Sequence, residues 1–333
     1  MSMSKDIKNI ESNQLSKEEL LEARNAILQE IDNRKSKTRG LNSAERNTMS
    51  SDELVEKLRS VEKVIYGVDD RKEVYEITNS QIKDNINSVV ALIRNDSIND
   101  NGDGKSTIRT KIFGVARNLC ENEKFYNQPI APFCSGFLVS KDLIATAAHC
   151  VENPEDLKSI RFVFGFRMKN EKEGPMVIDN SDIYEGESIV QRVFDDDGPD
   201  WAIIKLKRNV VENHKPVVLR RSGKIRDNES VYVIGHPVGL PTKFADGANV
   251  RNNSNESFFV CNLDTYGGNS GSPVFNSSTH ELEGILVRGE TDFIVTENGC
   301  RKSNVCPQND PDLVCRGEDC TRYTEFSDLV PST

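Results

Sequence analysis

The chain has 333 residues, of which 36% are hydrophobic and 29% are charged, and its formal net charge is −10. This composition predicts a globular protein with a sizeable core, built as two domains or as one domain with an extension. The acidic balance argues against a general nucleic-acid-binding protein. No apolar run approaches the length of a transmembrane helix, so a membrane partner is not expected either.

The first 63 residues differ from the rest of the chain. They carry 12 Lys/Arg and 12 Asp/Glu and contain no Cys, Pro, Phe or Trp. Capping-box spacing at 16–19 and again at 50–53, each followed by apolar residues at helical intervals, predicts two amphipathic helices. We interpret 1–63 as a helical N-terminal segment. Its role is open between packing on its own domain and binding a partner, or a second copy of the chain, through residues 15–62.

The cysteines and the N-terminus point to different compartments. The first residues lack the apolar core of a secretory signal, which makes the cytoplasm the default. Eight cysteines, all within 120–320, instead suggest disulfides and an oxidising or extracellular setting. The C-terminal cysteines are too widely spaced for a typical zinc site, so we expect local disulfides or free thiols there, and no metal.

The polar stretch 95–107 resembles two ligand-binding loops without matching either of them. It lacks the first glycine of a phosphate-binding loop, because position 99 is Asn. As a calcium loop it would need a carboxylate at its twelfth position, where Thr110 stands. We therefore predict an exposed polar loop.

Short apolar runs separated by turn-forming residues dominate the chain beyond residue 130. Such regularly spaced runs are typical of an all-β sandwich or barrel. The predicted strands are 137–139, 143–146, 160–164, 201–206, 231–234, 258–260, 273–275 and 282–287.

A glycine-rich turn at 264–275 contains the candidate nucleophile, Ser270. Glycines close to this serine permit a tight turn and let a substrate carbonyl approach the main chain. The N–H groups of Gly268 and Ser270 can then face one point beside the hydroxyl, which is the arrangement that acyl transfer requires. The alternative is a glycine-rich hairpin without catalytic function.

The sequence also offers a candidate general base and an acid that could orient it. His149 follows a run of small residues, and Cys134 and Cys150 could close the surrounding hairpin by a disulfide. Asp200 opens a strand rich in β-branched residues, where a buried carboxylate needs a partner. His236, among turn-forming residues, is interpreted as structural.

Three motifs together resemble the trypsin-like serine peptidases of the chymotrypsin fold. They are Thr146-Ala-Ala-His149-Cys150, Asp200-Trp-Ala-Ile and Gly268-Asn-Ser270-Gly-Ser-Pro, in the family's order of His, Asp and Ser. The resemblance covers about 64–333. It implies an all-β domain with a double β-barrel split near 208–215, a disulfide between Cys134 and Cys150, a His149–Asp200–Ser270 triad acting on protein or peptide substrates, and no cofactor.

A finer similarity is to the bacterial glutamyl endopeptidases. It rests on the Asp264-Thr265 pair, on Ser272, and on 64–71, which resembles the start of the mature enzymes. It implies that 1–63 occupy the place of a propeptide. Asn269 stands where trypsin-type zymogens have an aspartate, so activation by the zymogen salt bridge is not expected.

Substrate preference is predicted less directly. The resemblance places Asp264, Thr265, Val287 and Arg288 at the substrate-binding site and favours an acidic residue before the cleaved bond. The histidine that this branch uses after the serine is absent from 284–290. Arg288 is left with two roles, pairing with a substrate carboxylate or forming a structural ion pair with Asp264 or Glu290.

Two other functions stay open. One is a binding module of the same fold without catalysis. The other is a protease that acts only when a partner binds its N-terminal helices.

Overall fold

The computed structural model describes residues 65–220, 222–289, 292–307 and 315–331. The helices predicted within 1–63 lie outside these residues. The described chain contains many short strands and three short α-helices: α1 (Ser80–Ser88), α2 (Phe113–Arg117) and α3 (Pro154–Lys158). Among the helices of the described ranges, none is both long and apolar enough to span a membrane. Short 3₁₀ helices cover Val74–Glu76, Asn95–Ser97, Ala148–Cys150, Asn180–Asp182, Pro237–Gly239, Tyr323–Glu325 and Ser327–Leu329.

The strands follow one another closely along the chain. In chain order they are β1 (Ile65–Tyr66), β2 (Arg71–Glu73), β3 (Val89–Arg94), β4 (Ile98–Asp100), β5 (Lys105–Ile108), β6 (Lys111–Ile112), β7 (Pro129–Ile130), β8 (Cys134–Ser140), β9 (Leu143–Thr146), β10 (Ile160–Phe164), β11 (Val177–Asp179), β12 (Ile183–Phe194), β13 (Asp200–Leu206), β14 (Ser230–Gly235), β15 (Lys243–Asn252), β16 (Phe258–Cys261), β17 (Pro273–Asn276), β18 (Leu282–Arg288), β19 (Phe293–Val295), β20 (Arg301–Ser303), β21 (Val305–Cys306) and β22 (Glu318–Arg322).

Six antiparallel strands close the first barrel, in the order β10-β12-β13-β9-β8-β3. Their sequences are rich in β-branched and aromatic residues, which suit a pleated surface that is buried on its inner side. β13 illustrates this, because six of its seven residues are buried. Closure leaves no exposed strand edge, and it brings the ends of β9 and β13 together.

A second barrel follows, in the order β14-β17-β18-β22-β16-β15, and the pairing of β14 with β15 closes it. Strand β2 also pairs with β15 and extends the sheet beyond the closed barrel. Residues 207–229 connect the two barrels. The prediction of an all-β double barrel is thus confirmed, and all eight predicted strands are present.

The stretch 95–107 differs from the predicted loop. Ile98–Asp100 and Lys105–Ile108 pair as a β-hairpin, and β11 adds a third strand to it. Gly102 and Gly104 have φ of +79° and +82° in the connecting turn, where glycine is favoured. The prediction was therefore wrong about the extent of the loop, because polar residues on a hairpin that faces solvent hide its strand pattern.

Three disulfides link the described cysteines, and their pairing is only partly local. Cys306 and Cys315 form a local pair, whereas Cys300 pairs with Cys120, which is 180 residues away. Cys134 and Cys150 are joined across the β8–β9 hairpin and its following turn. Cys261 and Cys320 are buried free thiols. The expectation of local pairs was wrong for Cys300, because its partner is adjacent only in the folded chain.

Candidate active site

The loop that carries Ser270 lies between β16 and β17 and packs directly on the first barrel. Ser135 N donates to Ser270 O at 2.9 Å. Gly271 has a φ of +86°, and a Cβ at this position would lie only 2.1 Å from Ser135 O. Only glycine permits this close approach. The glycine after Ser270 therefore lets the loop of one barrel lie against β8 of the other.

Two backbone donors beside Ser270 have no acceptor among the residues that the structure describes. In the described part of the chain, the N–H groups of Gly268 and Ser270 form no hydrogen bond, whereas those of Asn269 and Gly271 donate to Tyr266 O and Leu286 O. The peptide before each free N–H is held through its carbonyl. Gly267 O accepts from Val238 N, and Asn269 O accepts from Ser272 N.

A peptide unit is planar, so holding its carbonyl also fixes the direction of its N–H. The two free donors are thus preorganised, which is the property that stabilises a developing oxyanion.

Ser135 supports the same loop and was not found by sequence reasoning. Its Oγ donates to Gly268 O at 3.0 Å and accepts from His236 N at 2.9 Å. The His236 ring is buried, and its Nδ1 lies 3.0 Å from Leu240 O. Burial lowers the pKa of His236 to about 3, so the ring is neutral. No motif marks Ser135, because its role comes only from tertiary contacts.

His149 is positioned by the short 3₁₀ helix that follows β9, and Asp200 is the first residue of β13. Since β9 and β13 are paired, the two residues meet at one end of the first barrel. Asp200 Oδ2 lies 2.6 Å from His149 Nδ1, and Oδ1 accepts from Ala148 N at 2.6 Å and from His149 N at 3.2 Å.

Asp200 is 1% exposed and the His149 side chain is 27% exposed. A buried carboxylate acceptor at Nδ1 selects the tautomer that leaves Nε2 without a proton. The ring can then accept a proton on the side that faces solvent.

The ring of His149 and the hydroxyl of Ser270 form no hydrogen bond with each other. Cys150, the residue after His149, nevertheless contacts Ser270, since its Sγ lies 3.7 Å from Ser270 O. Catalytic hydrogen bonds of this kind are often long until substrate binds. The structure thus brings the three residues to one place, at the junction of the two barrels.

Cys134, His149 and Cys150 also place possible metal-ligand atoms within 4.8 Å of one another. The two sulfur atoms are joined in a disulfide, so they are not thiolate ligands.

Asp264 and Thr265, predicted to contact substrate, are both buried. Asp264 Oδ1 accepts from Tyr66 N at 2.8 Å, and Oδ2 accepts from Asp70 N at 2.7 Å. This carboxylate therefore anchors the segment 65–71, which begins the described chain. A role of Asp264 toward substrate stays a prediction.

Arg288 pairs with Asp319, a carboxylate that was not among its predicted partners. Its Nε lies 3.2 Å from Asp319 Oδ2, and its Nη2 donates to Gly198 O at 2.7 Å. Asp264 is not its partner, and Glu290 lies outside the described residues. Val287 is buried in the core.

The strand paired with β18, β22, brings an additional carboxylate to the same region. A Cβ on Gly289 would lie 1.5 Å from Glu318 Oε2. Sequence reasoning missed Glu318, which is distant in the chain and lies in no motif.

Residues 134–285 match the family model of the trypsin-like peptidase domain. Over these residues the chain is similar to the trypsin-like peptidases. Glutamyl endopeptidases of Staphylococcus aureus strains MRSA252 and MW2 are each 29% identical over 162 residues, which is 45% of this chain. The match covers 41% and 45% of those relatives, so the chain spans less than half of their length. A solved structure of a Glu endopeptidase shows 15% identity, covers 80% of this chain and 98% of that chain, and gives a TM-score of 0.46.

Asp264 makes the stability of the trypsin-like domain depend on pH. Burial raises the pKa of Asp264 to about 7, against the opposing effect of the N–H groups of Asp70 and Tyr66. The ordinary aspartate pKa is near 3.9, so between roughly pH 4 and pH 7 the folded chain holds a proton that the unfolded chain has released. The contribution of Asp264 to stability is therefore present below about pH 4 and is lost as the pH rises through about 7.

We expect Asp264→Asn to remove this loss, which amounts to roughly 2–4 kcal/mol at the usual value of about 1.4 kcal/mol per pKa unit. Urea unfolding of the wild type and of Asp264→Asn at pH 4.5 and pH 8 measures this loss of stability. Asp246→Asn, at an exposed aspartate that pairs with Lys72, serves as the control and should keep the wild-type difference. An equal pH dependence in the wild type and Asp264→Asn would contradict the prediction.

Proposed function

We propose that the protein is a serine endopeptidase in which Ser270 is the nucleophile, His149 is the general base and Asp200 orients the imidazole. The observation that carries this proposal is the 2.6 Å contact of His149 Nδ1 with the buried Asp200 carboxylate, beside a serine loop that has two free N–H donors. The trypsin-like family match and the glutamyl endopeptidase relatives support the same activity.

The reaction proceeds in two stages. Ser270 Oγ attacks the substrate carbonyl as its proton moves to His149 Nε2, and the oxyanion accepts hydrogen bonds from Gly268 N and Ser270 N. His149 then gives the proton to the leaving amine, and an acyl-enzyme remains. Water, deprotonated by His149, hydrolyses that ester and regenerates the serine. Loss of one oxyanion donor typically costs about 3–4 kcal/mol in the transition state.

For the substrate, we propose cleavage after an acidic residue. Support comes from the relatives, which are named glutamyl endopeptidases, and from the shared Asp264-Thr265 pair. Arg288 would supply the positive charge, but it would have to share its guanidinium with Asp319 and Gly198 O.

A second candidate preference, for a basic residue, is favoured by one observation. The Glu318 carboxylate packs against Gly289, next to Arg288, in the same region as the buried Asp264. Peptides that differ only in the residue before the cleaved bond, Glu against Lys, decide between the two. A higher kcat/KM for Glu supports the first preference, and a higher value for Lys supports the second.

Labelling of the purified full chain with a fluorophosphonate tests the catalytic proposal. We expect stoichiometric labelling that disappears in Ser270→Ala, because only an activated serine reacts at an appreciable rate. Ser272→Ala is the matched control: this serine is two residues away and fully buried, and it should retain labelling.

Intact mass in the same experiment shows whether 1–63 are removed. If neither the full chain nor folded 64–333 reacts, the domain is a binding module without catalysis. If 64–333 reacts and the full chain does not, the N-terminal segment inhibits or gates the enzyme.

A further inference from the structure

A pocket of about 350 Å³ lies on the first-barrel side of the molecule, between α1 and the loop that follows β10. None of the candidate catalytic residues lines it. Its apolar lining comes from Val74, Ile86 and Met168, all of which are buried. Its volume lies at the lower end of the range found for small-molecule sites, about 300–1,000 Å³.

Three cationic side chains surround this apolar lining. They are Lys83, Arg167 and Lys169. Lys169 is paired with Glu173 at 2.6 Å. Arg167 and Lys83 have no carboxylate within 4.0 Å in the described structure, and Arg167 donates its one side-chain hydrogen bond, through Nη1, to Asn87 Oδ1 at 2.8 Å. A guanidinium has five N–H donors, so most of those on Arg167 are unused by the protein.

Arg167 is the group of this pocket that is best placed to bind an anion. Burial lowers the pKa of Arg167, and the charge of Asp182 opposes that shift. Asp182 is itself hydrogen-bonded to His214 Nε2 at 3.1 Å. Glu73, Glu76 and Glu171 also lie near Tyr75, which lines the pocket, so the cations do not outnumber the acidic groups and the argument rests on the free donors of Arg167. A single carboxylate would bind this planar guanidinium with two parallel hydrogen bonds.

We propose that this pocket binds a small amphipathic carboxylate, whose apolar part packs on Val74, Ile86 and Met168 and whose carboxylate pairs with Arg167. Lys83 adds long-range attraction from the rim. The site is separate from the candidate active site and goes beyond the proposed peptidase function. Its ligand class follows from the combination of an apolar interior with an unpaired, half-buried guanidinium.

Methionine methyl groups provide a direct readout of binding. The chain has five methionines, and Met168 lines the pocket whereas Met176 is 48% exposed outside it. The full chain carrying Ser270→Ala, labelled with ¹³C at the methionine methyls, is titrated with octanoate, acetate and 1-octanol. Loss of one signal in Met168→Leu assigns the Met168 resonance. The Ser270→Ala background prevents self-cleavage and makes the result independent of catalysis.

We expect octanoate to shift the Met168 signal saturably and to leave Met176 unchanged. Acetate and 1-octanol should each bind at least tenfold more weakly, because acetate lacks the apolar chain and 1-octanol lacks the carboxylate. Arg167→Met should weaken octanoate binding at least tenfold, and Lys83→Met by two- to fivefold. Lys111→Met, at an exposed lysine that pairs with no carboxylate of the described residues, should have no effect. If Arg167→Met does not fold, Arg167→Gln replaces it with the same expectation.

Three results would overturn the proposal. The first is no shift of Met168 at millimolar octanoate. The second is equal binding of octanoate and either of its two halves. The third is unchanged affinity in a folded Arg167 variant.

Discussion

Asp200→Asn should lower kcat/KM by about 10⁴-fold while leaving the domain folded, the size of the effect that loss of this carboxylate has in serine peptidases. Asp200 accepts three hydrogen bonds, from Ala148 N, His149 N and His149 Nδ1. An asparagine keeps one oxygen for the backbone N–H groups and presents an amide N–H₂ to Nδ1. The ring must then carry its proton on Nε2, where it cannot accept the Ser270 proton.

The matched control for this substitution is Asp142→Asn. Asp142 is also a largely buried aspartate of the first barrel, and it pairs with Lys205 away from the candidate active site. Its replacement should change kcat/KM by only a few-fold. Steady-state kinetics of both variants on one peptide, with urea unfolding as a check of the fold, provide the measurement. Near-wild-type activity of Asp200→Asn would remove Asp200 from the mechanism.

The strands and the three site motifs could be predicted because both are local in sequence. Alternating or continuous β-branched runs such as 201–206 indicate strands wherever they occur. His149, Asp200 and Ser270 each lie in a short motif with its own turn or strand signal. The structure places them at the junction of the barrels.

The contacts that were missed are long-range and polar. The Asp264 carboxylate accepts hydrogen bonds from the N–H groups of Tyr66 and Asp70, which lie nearly 200 positions away in the chain. Arg288 pairs with Asp319, although several other acidic residues look equally suitable in the sequence. Hydrophobic periodicity carries no information about such pairs, because it specifies which face is buried and not which polar group meets which. The contact between Glu318, on β22 of the second barrel, and Gly289 could not be predicted for the same reason.

Arg71→Met should lower the free energy of unfolding by at most about 3–5 kcal/mol, the cost of removing one partner of a fully buried ion pair, because Asp69 is 24% exposed and also pairs with Lys124. Arg71 is fully buried, and its Nη2 lies 2.6 Å from Asp69 Oδ2 and 3.2 Å from Tyr266 OH. Its guanidinium carbon also lies 4.0 Å from the centre of the Tyr266 ring. The substitution leaves the Asp69 carboxylate without this partner beneath the loop that leads to Gly268.

Lys72→Met is the neighbouring control in β2. Lys72 also pairs with an aspartate, Asp246, at 2.9 Å, but both side chains are more than 40% exposed. An exposed pair contributes about 0–1 kcal/mol, so Lys72→Met should be nearly neutral. Urea unfolding compares the two variants, and fluorophosphonate labelling shows whether the serine loop is still ordered. Because Tyr266 lies two residues before Gly268, Arg71→Met should also slow labelling. Equal and small losses of stability in both variants would mean that the buried pair does not hold 65–73 on the serine loop.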